Sequence, residues 1–228
     1  MSNKKNNQQE EVNAIDELND SLSTATEKVQ SNQKIIVWAT VIVAAVVLIV
    51  LGYIYLIHEP GKNKANDAIG DADIQLALGN DSIALVKYLD VADNFSGDAR
   101  SRAALQAAGM LYSKGDYQGA LNALDKFSAE DDIIGAAAAS LEGDCYVNLD
   151  NLDKAISSFK DAVSISDENP MYTPFFMMKL ARVYREQKNY KAEADVYKEI
   201  LDEYPAYAAA YRVDIEKLYK RAKIQAGE

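Results

Sequence analysis

Between Lys34 and His58 the chain runs for twenty-three residues, IIVWATVIVAAVVLIVLGYIYLI, without a charged side chain. As a helix rising 1.5 Å per residue, such a stretch reaches roughly 34 Å, enough to cross a hydrocarbon layer of about 30 Å with some tilt. The interior helix of a globular domain is seldom this long or apolar on every face. A cleavable signal has an apolar core of about 7–15 residues and a small-x-small cleavage site. Here the core is longer, and the HEPGKNKAND that follows offers no such site. Trp38 near one end and Tyr53 and Tyr55 near the other sit where amphipathic rings favour the headgroup layers. The reading predicts one transmembrane helix over 35–57, dividing a polar tail (1–34) from a domain over 62–228.

Charge says less about orientation than about partners. Lys28 and Lys34 on one side balance Lys62 and Lys64 on the other, and Lys4 and Lys5 tip the count towards a cytoplasmic N-terminus. After the apolar run the chain carries 29 acidic and 20 basic residues, a net charge of −9. Such a domain does not seek phosphate backbones or anionic lipid by long-range attraction, so no nucleic acid is expected among its partners. Cys145 is alone, so no intrachain disulfide forms, and its place inside a helix makes it a small core residue. The only histidine, His58, borders the apolar run, which leaves a Ser-His-Asp or Cys-His arrangement without a base in the domain. Phosphate-cradling loops, dinucleotide fingerprints and metal-ligand spacings are absent from the sequence. The expectation is a protein without catalytic, cofactor-binding or metal residues, and not an enzyme.

In the tail, residues 1–11 are rich in Asn, Gln and Lys, a composition that favours disorder. Val12, Ile15, Leu18, Leu22, Ala25 and Val29 then mark one helical face. This amphipathic stretch either docks on a partner or membrane surface, or simply extends the transmembrane helix.

The domain after the apolar run reads as helical hairpins repeating near 34 residues. Four stretches align: LGNDSIALVKYL (78–89), KGDYQGALNALD (114–125), LDNLDKAISSFK (149–160) and QKNYKAEADVYK (187–198). Each begins with a polar or glycine turn and opens an apolar stripe at helical spacing. Ala84, Ala120 and Ala155 share one place in the pattern, and Glu193 stands there in the fourth stretch. The sequence resembles the tetratricopeptide repeat family on these residues. The third hairpin matches best, with Gly143, Tyr146, Ala155, Phe159 and Ala162. The fourth keeps Leu180, Ala181, Tyr184, Tyr197 and Pro205, and the second keeps Ala108, Gly115, Asp116, Tyr117 and Ala120. The first is degenerate, with Gly79, Ala84 and Tyr88. Small residues let backbones approach while aromatic rings fill the gaps between hairpins. The expected fold is therefore all-α: a transmembrane helix, then a helical solenoid of about four hairpins. A C-terminal capping helix over 206–225 closes it, with Tyr207, Tyr211, Ile215, Leu218 and Ala222 on one face. Pro170 and Pro174 bracket a short insertion before the fourth hairpin.

The resemblance implies a groove lined by the first helix of each hairpin. Carried over position by position, it consists of Leu105 and Tyr112, then Ser140, Asp144 and Val147, then Phe175, Met178, Arg182 and Arg185. The lysine and asparagine pattern with which some members grip C-terminal carboxylates is not there. Phe175, Met178 and Val147 beside two arginines suit an extended, partly apolar segment, since methionine repacks around varied partners. Alternatively, Phe175 and Met178 are buried against the insertion.

The layout of tail, anchor, degenerate first hairpin, better repeats and cap also looks like that of the YfgM-type ancillary subunits of the bacterial Sec translocon. The segment at 63–95 is similar to the helix pair that follows their anchor. That resemblance implies an inner-membrane protein with a cytoplasmic tail and periplasmic repeats. Its implied partners are SecYEG, a PpiD-like periplasmic chaperone and emerging secreted polypeptides. Two other classes fit the same layout: a scaffold for another envelope machine, in outer-membrane assembly or cell division, and a chaperone that itself holds unfolded clients.

Overall fold

The computed structural model describes residues 33–128, 131–166 and 168–228, all helix, turn or loop with no strand among them. The tail and its expected amphipathic face over 12–29 lie outside these residues. The chain divides into two compact units, 1–61 and 62–228.

In the first unit, α1 (Gln33–Tyr53) carries the apolar run and is, by length and composition, able to cross a membrane. The next five residues, Ile54–His58, form a π turn in which the Glu59 N–H bonds the Ile54 carbonyl. Pro60 follows at once. It has no N–H to give, and the widened turn lies where that helical bond is missing. The helical run thus continues past 57, where the predicted transmembrane helix ends: α2 spans Glu59–Ala77, including Pro60 and Gly61.

The second unit consists of paired helices. α2, from Lys62 onward, meets α3 (Asp81–Asn94) through Asp71 to Lys87, Asp73 to Tyr88 and a shared apolar cluster, and α4 (Asp98–Ser113) pairs with α5 (Tyr117–Leu124). Next, α6 (Asp132–Asn148) pairs with α7 (Leu152–Ile165), and α8 (Tyr172–Glu186) with α9 (Tyr190–Glu203). The turns inside these hairpins share one mechanism. Gly79, Gly115, Asp150 and Lys188 all take positive φ, and Asn80, Asp116, Asn151 and Asn189 follow them. At each, the positive-φ residue bonds the carbonyl three back and its successor the carbonyl five back, as in Lys188 to Arg185 (2.9 Å) and Asn189 to Tyr184 (2.8 Å). This is the Schellman closure. In the last three hairpins the next side chain caps the second helix, Asp116 accepting from the Gly119 N–H, Asn151 from Lys154 and Asn189 from Ala192.

Packing follows the small-residue pattern. Ala84, Ala120 and Ala155 are fully buried, as are Tyr88 and Phe159, and Gly143 and Tyr197 are buried with them. Tyr146 and Tyr184 are half-buried and lie against the core. One cluster gathers the first two hairpins around alanines such as Ala72, Ala103, Ala104, Ala107 and Ala108, and takes in Cys145. A second joins Phe159, Met177, Leu180, Tyr197 and Ile200 to Tyr207 and Ile215. Burial pushes the Cys145 thiol up to about 11, which keeps it protonated.

The expected capping helix is broken in two. α10 (Pro205–Tyr211) ends at Arg212, whose φ is +54°, and α11 (Ile215–Ala226) starts where the Asp214 side chain accepts from the Lys217 N–H at 2.9 Å. Tyr207 and Ile215 are buried but Tyr211 is 47% exposed, so the apolar stripe is not the face of a single helix. An N-capping aspartate inside a helical periodicity overrides the pattern. α11 packs on α9.

Candidate functional site

The first helices of the last three hairpins, α4, α6 and α8, lie in succession, and polar side chains stitch them together one repeat apart. The Asn148 amide on α6 donates to the Tyr112 hydroxyl on α4 at 3.3 Å. Lys179 on α8 reaches α6, donating to Ser140 Oγ at 2.9 Å and Asp144 Oδ2 at 2.5 Å. The same ammonium lies 5.3 Å from the Phe175 ring centroid and 5.6 Å from that of Phe159. With both side chains about a quarter exposed, the Lys179–Asp144 pair is shielded better than a rim ion pair. Burial, reinforced by the negative charge of Asp144, raises the Tyr112 hydroxyl above its ordinary value. The Tyr112 ring also packs edge-on against Tyr117, 5.4 Å between centroids.

The expected groove positions therefore divide. Leu105, Tyr112, Asp144, Val147, Met178 and Arg185 are half-buried, and Phe175 and Arg182 are exposed. Val147 and Met178 rest on the second core, while Phe175 stands 44% exposed beside buried Phe176, edge-on at 5.4 Å. Ser140 corrects the expectation: it is 3% exposed, because the Lys179 ammonium closes over its hydroxyl. Leu105 lines a cavity of about 320 Å³ together with Arg102, Gln106, Phe127 and Ile134. Arg102 pairs at 3.6 Å with Asp73 of α2, whose other oxygen accepts from the Tyr88 hydroxyl at 2.5 Å.

Lys179, Asn148 and the Arg102–Asp73 pair were not singled out by the sequence. The signal was the repeat length itself. Asn148 and Tyr112 are 36 residues apart and Lys179 and Asp144 are 35 apart, so polar residues one period apart on first helices meet. Chemically the site offers apolar contact surface, fixed dipoles and cations. Among the described residues no three His, Cys, Asp or Glu side chains come together as a metal site would need.

A family model described as "Tetratricopeptide repeat-like domain" matches residues 64–185, and one described as "Tetratricopeptide repeat" matches 176–207. No curated protein sequence matches the chain. Among solved structures, a MamA protein is 17% identical, with a TM-score of 0.51 over 72% of this chain and 88% of that one. A Podosopora anserina protein with nearly identical TPR-like repeats is 13% identical, with a TM-score of 0.54 over 72% and 87%. The C-terminal part of a TPR repeat-containing protein from Cytophaga hutchinsonii is 17% identical, with a TM-score of 0.51 over 71% and 67%. At these identities the likeness is one of fold.

Proposed function

The chain belongs to the tetratricopeptide repeat-like family, and from that premise we propose that it is a membrane-anchored scaffold that holds partner proteins on the α4–α6–α8 face. Such repeats generally serve as non-catalytic interaction surfaces. The observation that carries the reading is the contrast along this face. Lys179, Asp144, Ser140, Tyr112 and Asn148 are spent on joining helices, whereas Phe175 and Arg182 are left exposed on the same side of α8. An exposed aromatic beside a cation is what a recognition face retains after its structural ties are made.

The finer reading rests on the layout. A tail, an apolar helix before the repeats, a degenerate first hairpin, better repeats and a C-terminal cap resemble the layout of the ancillary Sec subunits. On that resemblance α1 anchors the protein in a bacterial inner membrane, the tail is cytoplasmic and the repeats are periplasmic. There they link SecYEG to a PpiD-like chaperone and to emerging secreted polypeptides.

The test is recovery of SecYEG with the full chain in mild detergent. Replacing residues 35–57 by an unrelated anchor leaves recovery intact, and Phe175→Asp reduces it. Copurification with outer-membrane assembly or division proteins instead would move the scaffold to another machine. Loss on anchor exchange alone would place recognition in the bilayer.

A further inference from the structure

Along α8, exposed Phe175 and Arg182 and half-buried Met178 and Arg185 share one stripe. At 100° per residue, Phe175, Met178, Arg182 and Arg185 fall within a quarter of the helix circumference. The opposite side, Phe176, Met177, Leu180, Ala181 and Val183, is buried. The two arginines are unusual in their company. The chain carries a net charge of −11, yet among the described residues neither arginine forms an ion pair. Glu186 stands one turn beyond Arg182 and does not pair with it. By contrast, the neighbouring cation Lys179 is satisfied by Asp144 and Ser140. In a protein with acids to spare, two guanidinium groups without an ion pair, beside an exposed ring, leave a surface open to a partner's counter-charge.

We propose that this stripe receives an extended acidic segment of a partner protein, its carboxylates on Arg182 and Arg185 and an aromatic or aliphatic side chain on Phe175 and Met178. The proposal rests on the reading of the α4–α6–α8 face as a recognition surface and names the chemistry of its occupant. Spacing sets the motif. Phe175 and Arg182 are seven residues apart, about 10 Å along the helix, which an extended chain covers in about three residues. An apolar residue followed three places later by an acid, with a second acid next to it, fits that distance.

Four blocked, fluorescein-labelled octapeptides serve as probes against the full chain in mild detergent. One is acidic (Gly-Phe-Ser-Ser-Glu-Asp-Ser-Gly), one its amide counterpart (Gly-Phe-Ser-Ser-Gln-Asn-Ser-Gly) and one basic (Gly-Phe-Ser-Ser-Lys-Arg-Ser-Gly). The fourth replaces Phe of the acidic peptide by Gly. The acidic peptide binds about tenfold tighter than the amide one, a difference near 1.4 kcal/mol. That advantage shrinks with added salt, as exposed charge pairs are screened within about 8 Å at physiological ionic strength. It disappears in Arg182→Gln with Arg185→Gln, survives in the paired Arg→Lys variant, and passes to the basic peptide when both arginines become Glu. Because both arginine side chains reach solvent and the Lys variant keeps their charge, loss of binding is separable from loss of fold by helicity.

Equal binding of acidic and amide peptides, both weakened by Phe175→Asp, would sink the acidic occupant while leaving the recognition face standing. Binding of no peptide to any variant would overturn both. Arginine-dependent recruitment to phosphatidylglycerol vesicles, without discrimination among peptides, would assign the arginines to lipid and also overturn the proposal.

Discussion

Lys188 sits at φ +60°, in the left-handed region where its Cβ crowds the following carbonyl, while the equivalent place in the first two hairpins is glycine. The strain of a non-glycine residue there is about 1–2 kcal/mol, partly offset by the greater chain entropy that glycine loses on folding. Lys188→Gly should therefore stabilise the domain by about 1 kcal/mol, seen as a higher melting temperature by circular dichroism. Asp150 at φ +57° gains less from the same change, because aspartate tolerates that conformation. Gly143 acts by close approach instead. A methyl group there would meet the Phe159 ring at 2.8 Å, so the fully buried ring would have to shift within the core. Gly143→Ala is expected to cost about 1–3 kcal/mol, read from denaturant midpoints at unchanged slope. Both residues were legible in the sequence as repeat positions, since turn closure and helix approach are set by residue type and spacing alone. Ser140 was not legible: its burial depends on Lys179 arriving from the next repeat.

At the level of the elements, the last hairpin departs from the others through one residue. Glu193 occupies the place of Ala84, Ala120 and Ala155, and it is fully buried. Its Oε1 accepts from the Arg221 guanidinium of α11 at 3.2 Å, and its Oε2 has no partner among the described residues. Removing one partner of a buried pair costs more than the pair contributes, because a desolvated charge is left behind. Arg221 is 42% exposed, which tempers the effect, so Arg221→Ala should destabilise by about 2 kcal/mol. Adding Glu193→Ala to it should recover part of that loss. A double-mutant cycle by chemical denaturation checks this, and strictly additive losses would show the pair to be uncoupled. The sequence marked Glu193 as a departure but held no sign of its partner, 28 residues away across a break at Arg212. The break was equally hidden, because the stripe of Tyr207, Tyr211 and Ile215 keeps helical spacing straight through it.

For the molecule as a whole, burial raises the hydroxyls of Tyr88, Tyr112, Tyr197, Tyr204 and Tyr207, and the Cys145 thiol to about 11. A group whose folded-state pKa is raised binds its proton longer when folded than when unfolded. The stability it lends is complete below the unfolded value and is lost as pH rises through the folded one. Melting temperatures should thus hold up to about pH 9, the ordinary thiol value, and fall steadily from there through about pH 11. The part of the tyrosinate absorbance that comes from these five hydroxyls should develop with unfolding and not ahead of it. Arrays of this kind grow by tandem copying of hairpins, and Glu193 bears on how far this one can. A second copy of 172–203 placed after the first would carry the acid to an internal junction, where the incoming α8 offers no Arg221. Every added copy would enclose a carboxylate without its guanidinium partner, a penalty of several kcal/mol that another hairpin's apolar contacts would have to exceed. The copy number at this end is held by one acid whose base occurs once.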